Sequence, residues 1–373
     1  MRISPFLIGR YFARWEQNLP YFLSTADVEN YCLNELLALA DEECLALWQH
    51  LSLGYTTTTG HPVLRTEIAS LYQNVEPDEV LTFAGGEEAI FVLLSVLLAA
   101  GDHAVVVWPA YQSLYEVARA AGAHVTLLPL HAEAGWSLDL QALRKAIRPA
   151  TKVIVVNFPH TPTGALPDHE TFAALCEIAR EAGAYLFSDE SFRFLEFDPE
   201  GRLPAAVDGY ERGISLGAMS KAFGLAGLRV GWLALHDRDL LGRLLMLKDY
   251  TSVSNSAPGE ILALIGLRAR EAVLARSLRL IRRNLELLDR FFATWSTEFT
   301  WVRPRAGSIG FPRLCRDLEI EQFISALVEQ QGVLLLPGSV YEYPGNYFRI
   351  GFGRADLPES LARLEQFMAT LQQ

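Results

Sequence analysis

Short apolar runs alternate with amphipathic stretches between Val80 and Asp249, and this alternation is the clearest pattern in the chain. The runs have the length and the β-branched and aromatic content of buried strands, whereas the stretches repeat apolar residues at helical spacing. Seven strands are predicted, at Val80–Phe83, Ala104–Trp108, Val125–Leu128, Lys152–Phe158, Tyr185–Ser188, Ile214–Gly217 and Val230–Leu235. The helices predicted between and after them lie near Glu87–Ala100, Tyr111–Ala121, Leu138–Ile147, His169–Glu181 and Arg238–Asp249. The alternation predicts an α/β fold with a mostly parallel, doubly wound sheet whose ligands bind at the carboxyl ends of its strands.

Beyond Pro258 the pattern changes, because apolar residues recur at helical spacing as far as Phe292 and predict one long helix. The segments that follow predict a smaller α/β domain, with parts at Phe299–Val302, Ser308–Phe311, Ile320–Gln331 (a helix), Val333–Leu336, Tyr347–Phe352 and a terminal helix from Leu357. Residues 3 to about 43 are rich in aromatics without a clean period, so we expect an arm packed on another surface. We divide the chain into residues 1–45 (arm and part of the small domain), 46–257 (large domain) and 258–373 (interdomain helix and small domain).

The composition narrows the classes of function. Half of the 373 residues are hydrophobic, which is enough for a sizeable core, and the formal net charge is −12. Nucleic-acid grooves and anionic membranes attract clustered Lys and Arg, so neither is the expected partner and a small-molecule substrate fits better. The longest apolar run, Ala89–Ala100, is too short to cross about 30 Å of hydrocarbon and predicts a buried helix.

The cysteines are far apart and form no Cys-x-x-Cys pair; they are Cys32, Cys44, Cys176 and Cys315. No secretory signal follows Met1, so we expect reduced cysteines in a cytoplasmic protein. No residue pattern predicts a metal site.

Lys221 lies in the stretch 215–232, between a predicted strand that ends at Gly217 and one that begins at Val230. Two buried strands carry such a loop into the interior, where desolvation lowers the pKa of a lysine and leaves its amine nucleophilic. This amine suits Schiff-base formation with an aldehyde cofactor. On the local pattern alone an exposed Ser-Lys turn is the better interpretation, so the choice depends on the rest of the chain.

Two further stretches favour the same kind of cofactor. Gly85 and Gly86 form a strand-to-helix turn typical of a phosphate site, and Arg229 provides a charged donor to the same phosphate. Asp189 ends a predicted buried strand, where a carboxylate needs a partner such as a protonated pyridine nitrogen. A tight connection at the glycines and a helix cap at Asp189 are the alternatives.

The frame Ser-Lys-x-x-Gly-Leu-x-Gly-x-Arg-x-Gly, with Lys221 and Arg229 eight residues apart, resembles the class I/II aminotransferases, a group of fold-type I pyridoxal-phosphate enzymes. The resemblance covers roughly Tyr55 to Arg349 and implies a homodimer with shared active sites. It implies that pyridoxal 5′-phosphate forms a Schiff base with Lys221, which then acts as general base and acid, and that Asp189 holds the ring nitrogen. The other implied roles are phosphate binding by Gly85, Gly86, Glu87 and Arg229, ring stacking by Tyr111, cofactor contacts from Asn157 and Thr161, a phosphate contact across the dimer from Tyr55, and binding of the substrate α-carboxylate by Arg349.

Three positions depart from the pattern of that group. Thr161 stands where the group usually has an Asn that donates to the cofactor's ring oxygen, and Phe192 replaces a Tyr that is the second donor. Ala218 replaces a Ser or Gly near the phosphate. We expect altered tuning of the cofactor with the base and the electron sink intact. His160 has no partner that the sequence identifies.

The arm from Tyr21 to Tyr31 resembles a segment of the capreomycidine-synthase-like branch, enzymes that cyclise guanidino amino acids. That resemblance implies that Asp27 and Glu29 face a cationic side chain, whereas a solvated acidic loop is the simpler interpretation. Transamination between an α-amino acid and a 2-oxo acid is the leading prediction. The alternatives are elimination or ring closure at Cβ or Cγ, and a ligand sensor that binds the cofactor without turnover.

Overall fold

The computed structural model describes residues 2–15 and 19–371, so residues 16–18 of the predicted arm lie outside the described part. The central sheet consists of β1 (Val80–Phe83), β2 (His103–Trp108), β3 (His124–Pro129), β4 (Thr151–Asn157), β5 (Tyr185–Asp189), β6 (Gly213–Ala218) and β7 (Gly231–Leu235). Every strand end agrees with its prediction to within one residue. Strands buried on both faces are continuous apolar runs, which is why their ends are visible in the sequence.

The strands follow the order β1-β7-β6-β5-β4-β2-β3, and β7 is antiparallel to both of its neighbours while the other pairs are parallel. The register places Asn157 of β4 opposite Asp189 of β5, and Asp189 opposite Leu216 of β6. The carboxyl ends of three strands therefore meet at one edge, where the loop with Lys221 follows β6. The mostly parallel sheet is confirmed.

The helices up to the end of the sheet are α1 (Leu7–Ala13), α2 (Leu33–Leu37), α3 (Glu42–Gln49), α4 (Pro62–Ala69), α5 (Gly86–Leu97), α6 (Ser113–Ala120), α7 (Leu140–Ala146), α8 (His169–Ala182), α9 (Ala206–Gly209) and α10 (Arg238–Lys248). Successive residues of a strand face opposite sides of a sheet. Ile154 and Val156 accordingly join a core that contains α8, whereas Val153 and Val155 join a second core that contains α5. Both faces of the sheet are covered, as predicted.

Two helices, α11 (Ala257–Arg268) and α12 (Arg270–Thr294), replace the single long helix predicted beyond Pro258, so that prediction is wrong. Ala269 leaves the helical region at φ −86° and ψ 14°. Most residues of α11 are buried, whereas α12 buries only one stripe. Apolar residues keep their helical spacing across Ala269, so the sequence pattern does not indicate the break between the two helices.

The C-terminal part contains β8 (Phe299–Thr300), β9 (Ile309–Gly310), β10 (Arg313–Leu314), α13 (Ile320–Gln331), β11 (Leu336–Pro337), β12 (Phe348–Gly351) and α14 (Leu357–Thr370). Antiparallel pairing in the order β11-β12-β9 puts Arg349 on the middle strand. The bounds predicted for the strand at Val333–Leu336 are wrong, because Val333 pairs with Tyr21 of the arm and β11 begins only at Leu336. The domain boundaries near residues 46 and 258 stay predictions.

The N-terminal arm packs on the rest of the chain, as predicted, and connects the sheet with the C-terminal part. The Leu7 N–H donates to Gln112 Oε1 at 2.7 Å, and the Tyr11 hydroxyl donates to the Leu335 carbonyl at 2.9 Å. Further along, the arm lies so close to Gly351 that a Cβ there would stand 1.9 Å from the Thr25 carbonyl oxygen. None of the helices within the described ranges has the length and apolar character to cross a membrane.

Candidate active site

A cavity of about 220 Å³ opens at the carboxyl ends of β4, β5 and β6. Its walls include most of the predicted site residues: Gly86, Glu87, Tyr111, Asn157, Thr161, Asp189, Lys221, Arg229 and Arg349. Gly85 directly precedes this wall, whereas Tyr55 lies elsewhere. The edge of the sheet to which ligands of such folds bind is therefore where the sequence motifs converge.

Lys221 is half-buried, and its pKa is lowered to about 8. Burial disfavours the charged amine most, and the Arg349 guanidinium repels it, while the carboxylates of Asp27 and Asp189 act in the opposite direction. Compared with an ordinary lysine near pKa 10.4, this amine is neutral far more often at physiological pH. It is thus a nucleophile and a base that can accept and return a proton.

Asp189 ends β5 with a buried carboxylate at the cavity wall. Its Oδ1 accepts hydrogen bonds from the backbone N–H and the hydroxyl of Ser191, at 3.0 and 2.6 Å. Burial raises the pKa of Asp189, and the two bonds from Ser191 and the charge of Lys221 partly offset this rise. A protonated pyridine nitrogen is the cation that such a carboxylate suits.

Asn157 lines the cavity, and its amide makes two hydrogen bonds within the protein. Its Nδ2 donates to the Asp189 carbonyl at 2.7 Å, and its Oδ1 accepts from the Thr161 N–H at 2.8 Å. These bonds fix the end of β5 and the loop of Thr161 relative to each other. They use one of the two Nδ2 N–H groups, so the cofactor contact expected from Asn157 stays a prediction.

The turn before α5 and the Arg229 guanidinium form one end of the cavity. Gly85 has φ 94°, and a Cβ there would lie 2.5 Å from Arg229 Nη2, so glycine is required for this approach. Likewise, a Cβ on Gly231 would lie 2.6 Å from the Gly86 nitrogen. The first N–H groups of a helix have no intrahelical acceptor, so this end offers several donors beside a positive charge. That donor set fits a phosphate group.

Tyr111 and Glu87 lie together beside this end of the cavity. Burial and the Glu87 carboxylate raise the pKa of Tyr111, which keeps its ring a neutral phenol. Phe6 of the arm packs edge-on against this ring at a centroid distance of 5.3 Å. Desolvation also raises the pKa of Glu87, whose carboxylate accepts the Ser113 hydroxyl. The sequence assigned only the backbone of Glu87 and missed the support from Phe6.

Arg349 is buried on the opposite wall. Its Nε donates to the Ser24 carbonyl and its Nη1 to the Tyr341 hydroxyl, both at 2.8 Å. The Phe12 ring lies over the guanidinium, with 5.8 Å between Cζ and the ring centroid. Two of its five N–H groups are used in these bonds, which leaves a fork suited to a carboxylate. No sequence motif identified Ser24, Phe12 or Tyr341 as its partners.

The three departures from the aminotransferase pattern lie at or beside the cavity. Phe192 lines it with an apolar ring, whose centroid is 6.0 Å from Lys221 Nζ. Thr161 is buried, and its hydroxyl makes no hydrogen bond to any residue that the structure describes. Ala218 has no donor to offer and lies near the phosphate end, 3.7 Å from where a Cβ on Gly86 would stand.

Three sequence interpretations need correction. Asp27 is partly buried rather than in a solvated loop: its Oδ2 accepts from Arg354 Nη1 at 3.1 Å, and its carboxylate also acts on the charge of Lys221. Glu29 accepts the Ala355 N–H at 2.8 Å in the same place, so the acidic pair fastens the arm to the C-terminal part. His160 is buried and does have a partner, the Thr163 hydroxyl, 2.7 Å from its Nδ1. Burial lowers the pKa of His160 to about 3, so the ring is neutral.

Tyr55 lies outside the cavity of its own chain and is 93% exposed. Leu53, Met246 and Tyr250 are also strongly exposed for residues of their size, at 83%, 68% and 87%. Large apolar side chains exposed to this extent are typical of surfaces that contact another molecule.

Comparisons with known proteins identify the family of the chain. The sequence profile of the family described as aminotransferase class I and II matches residues 26–364. The chain is similar to capreomycidine synthase of Streptomyces vinaceus, with 32% identity over 352 residues that cover 93% of this chain and 90% of the relative. A PLP-dependent aminotransferase from Streptococcus suis superposes with a TM-score of 0.93 at 31% identity and 99% coverage of both chains. The PLP-dependent cyclase OrfR superposes with a TM-score of 0.89 at 28% identity, covering 99% of this chain and 98% of the cyclase.

The profile spans nearly the whole chain and includes both walls of the cavity. The predicted fold type and the predicted cofactor, pyridoxal 5′-phosphate, are confirmed by this match and by the solved structures. The chain therefore belongs to the class I and II aminotransferase family and is a pyridoxal-phosphate-dependent enzyme.

Proposed function

We propose that this enzyme transfers the amino group of an α-amino acid to a 2-oxo acid in the cavity around Lys221. The observation that carries the proposal is the convergence of the Lys221 amine, the Asp189 carboxylate and the Arg349 guanidinium on one cavity. Pyridoxal phosphate, when bound, supplies an aldehyde for the amino group and a ring that withdraws electrons from the substrate Cα.

Each of these residues has one task in the reaction. Arg349 binds the substrate α-carboxylate through the N–H groups that Ser24 and Tyr341 leave free. Asp189 would hold the ring nitrogen in its protonated form, because a buried carboxylate favours a cationic partner. Nζ of Lys221 removes the proton from the substrate Cα, and its pKa of about 8 lets it both accept and return that proton near neutral pH.

Binding of the cofactor phosphate is the task of the turn before α5. The N–H groups of Gly86 and Glu87 and the guanidinium of Arg229 provide donors and a positive charge. Tyr111 would stack on the cofactor ring, and Phe6 packs edge-on against the tyrosine. The observed donor set at this end of the cavity supports these roles.

Ring closure of an amino acid is the second candidate function. It is favoured by the similarity to capreomycidine synthase, which covers 93% of this chain, and by the similarity to the cyclase OrfR. Phe192 and Thr161 line the cavity at two of the three positions that depart from the aminotransferase pattern. The walls that bind the cofactor and the carboxylate serve both reactions equally.

Product analysis separates the two functions. The purified enzyme is incubated with a panel of amino acids, including ones with guanidino side chains, with and without a 2-oxo acid. Transamination predicts a keto acid that depends on the added 2-oxo acid. Ring closure predicts a cyclic amino acid, and elimination predicts ammonia, in both cases without the 2-oxo acid. Spectral exchange of the cofactor without any product would contradict both and favour a sensor.

We further propose a homodimer in which Tyr55 reaches the cofactor phosphate of the partner subunit. The support is the exposure of Tyr55 together with Leu53, Met246 and Tyr250. A mixed dimer of Tyr55→Ala and Lys221→Ala subunits tests the arrangement, because it contains one complete site only if Tyr55 acts across the interface. We expect such dimers to bind one cofactor per dimer with native affinity, and no native-affinity site would contradict the proposal.

We also place the enzyme in the cytoplasm. All four cysteines are free thiols, which is typical of a reducing compartment. Cell fractionation checks this, and recovery in a secreted fraction would contradict it.

A further inference from the structure

We propose that Tyr341 is a positioning residue that fixes Arg349 relative to the loop of Tyr111. Tyr341 uses both ends for this: its hydroxyl accepts from Arg349 Nη1 at 2.8 Å, and its carbonyl accepts from Trp108 Nε1 at 3.0 Å. The inference rests on the proposed role of Arg349 in binding the substrate α-carboxylate.

The hydroxyl of Tyr341 sets the plane of the guanidinium. An arginine side chain has several rotatable bonds, and a single hydrogen bond leaves its planar end free to turn. Arg349 is held instead at two different nitrogens, Nε by the Ser24 carbonyl and Nη1 by Tyr341. Bidentate binding of a carboxylate depends on the orientation of that plane, so the hydroxyl acts on substrate affinity through Arg349.

Tyr341 is itself held rigidly. It is fully buried at the end of the 3₁₀ turn Gly338–Tyr341, and its ring packs edge-on against Phe311 at 5.8 Å between centroids. Burial raises the pKa of Tyr341, although Arg349 partly offsets this, so the phenol stays neutral and can accept the N–H of Arg349. A rigid, neutral acceptor is what a fixed guanidinium requires.

The second contact connects the two walls of the cavity. Trp108 ends β2, and the chain continues from it through Pro109 to Tyr111, whose ring covers the cofactor in the proposed function. Arg349 lies on β12, which belongs to the C-terminal part. Tyr341 therefore sets the position of the bound carboxylate relative to the loop that holds the cofactor ring.

Tyr341→Phe removes only the hydroxyl and is the direct test. Tyr343→Phe is the matched control. Tyr343 is a buried tyrosine two residues further along the chain, and its hydroxyl donates to the Leu130 carbonyl instead of contacting Arg349. For an amino acid that the product panel identifies as a substrate, we expect Tyr341→Phe to raise KM about tenfold. We expect kcat and the cofactor Kd to change less than about twofold, and Tyr343→Phe to leave KM near the native value.

A comparison of the amino acid with its methyl ester reports on carboxylate recognition alone. The ester lacks the charge that Arg349 binds, so the preference for acid over ester should shrink in Tyr341→Phe and stay native in Tyr343→Phe. Trp108→Phe removes the donor at the other end of Tyr341, and we expect a smaller shrinkage of the same preference.

An unchanged preference in both Tyr341→Phe and Trp108→Phe overturns the inference, as does an equal loss in Tyr343→Phe, which would indicate packing alone. Arg349→Lys distinguishes failure of the positioning role of Tyr341 from failure of the carboxylate-binding role proposed for Arg349. If Arg349→Lys loses the preference and Tyr341→Phe keeps it, only the positioning role fails. If Arg349→Lys keeps the preference, the proposed role of Arg349 fails first.

Discussion

The two walls of the cavity differ in how they are assembled. The sheet wall, formed by Asp189, Lys221 and the turn at Gly85 and Gly86, lies at strand ends that backbone pairing brings together. The clamp wall, formed by Arg349 and Tyr341 with the arm around Ser24, depends on side-chain bonds between distant residues. The bond from Arg349 Nε to the Ser24 carbonyl joins positions 325 apart in the sequence.

This difference separates chemistry from recognition. In the proposed function, the sheet wall carries the groups that bind the cofactor and move the proton, and the regular sheet fixes their spacing. The clamp wall carries the groups proposed to bind the substrate, and it lies on the arm and the C-terminal part. Changes to the sheet wall should therefore affect the cofactor and the chemical step, whereas changes to the clamp wall should affect the substrate.

The largest expected effect comes from Lys221→Ala on the sheet wall. Loss of the base at the substrate Cα should lower turnover by more than about 10³-fold, within the range that general base catalysis contributes. The cofactor should still bind at the phosphate end, but without a covalent link. Turnover and cofactor absorbance measure this, with Lys145→Ala at an exposed lysine as control. Turnover near that of the control would remove Lys221 from the mechanism.

Arg349→Lys breaks the clamp wall with the next largest effect. A lysine keeps the charge but not the fork, and loss of one charged hydrogen bond costs about 2 kcal/mol, or roughly 30-fold in KM. The cofactor Kd should stay near native. Arg303→Lys, at an exposed arginine that pairs with Asp289, serves as control and should leave KM nearly unchanged. A parallel loss of cofactor affinity would show that Arg349 supports the whole cavity and that the two walls are not separable.

The pH dependence of cofactor binding to Lys221 tests whether Arg349 of the clamp wall lowers the pKa of Lys221 on the sheet wall. Only the neutral amine of Lys221 reacts with an aldehyde, so in cofactor-free protein the capture rate should rise with pH and level off above about pH 8. A lysine of ordinary pKa would continue to gain rate to about pH 10. Arg349→Met removes the repulsion from the clamp wall and should move the plateau to higher pH. Stopped-flow absorbance measures both, and a plateau that does not move would mean that burial alone lowers the pKa.

The smallest effect concerns Phe192, which stands where the aminotransferase pattern has a tyrosine that donates to the cofactor's ring oxygen. This oxygen would share a proton with the nitrogen of the Schiff base on Lys221. A hydrogen-bond donor to the oxygen makes it a poorer acceptor for that proton, so the Schiff base loses the proton at lower pH. Phe192→Tyr should therefore lower the pKa of this Schiff base by less than about one unit, as a titration of cofactor absorbance measures. Thr161→Asn should lower it further, although neighbouring changes need not add. An unchanged or raised pKa would indicate another donor to the oxygen.

The sheet wall was largely predictable from the sequence, and the clamp wall was not. Lys221 and Asp189 follow apolar runs whose ends are marked by the change to glycine and polar residues. Arg349 was found only through the resemblance to a family, and Tyr341 gave no signal, because a bond between side chains leaves no periodic trace. The pairing of Asp27 with Arg354, 327 positions away, was missed for the same reason. The break at Ala269 was hidden because apolar spacing runs through it.

Borohydride reduction of the holoenzyme, followed by peptide mass spectrometry, tests the central claim most directly. Reduction fixes the cofactor on whichever lysine holds it. We predict a single modified peptide that contains Lys221, and its loss in Lys221→Ala with Lys145 unmodified throughout. A label on another lysine, or no label in protein saturated with cofactor, would contradict the assignment of this cavity as the active site.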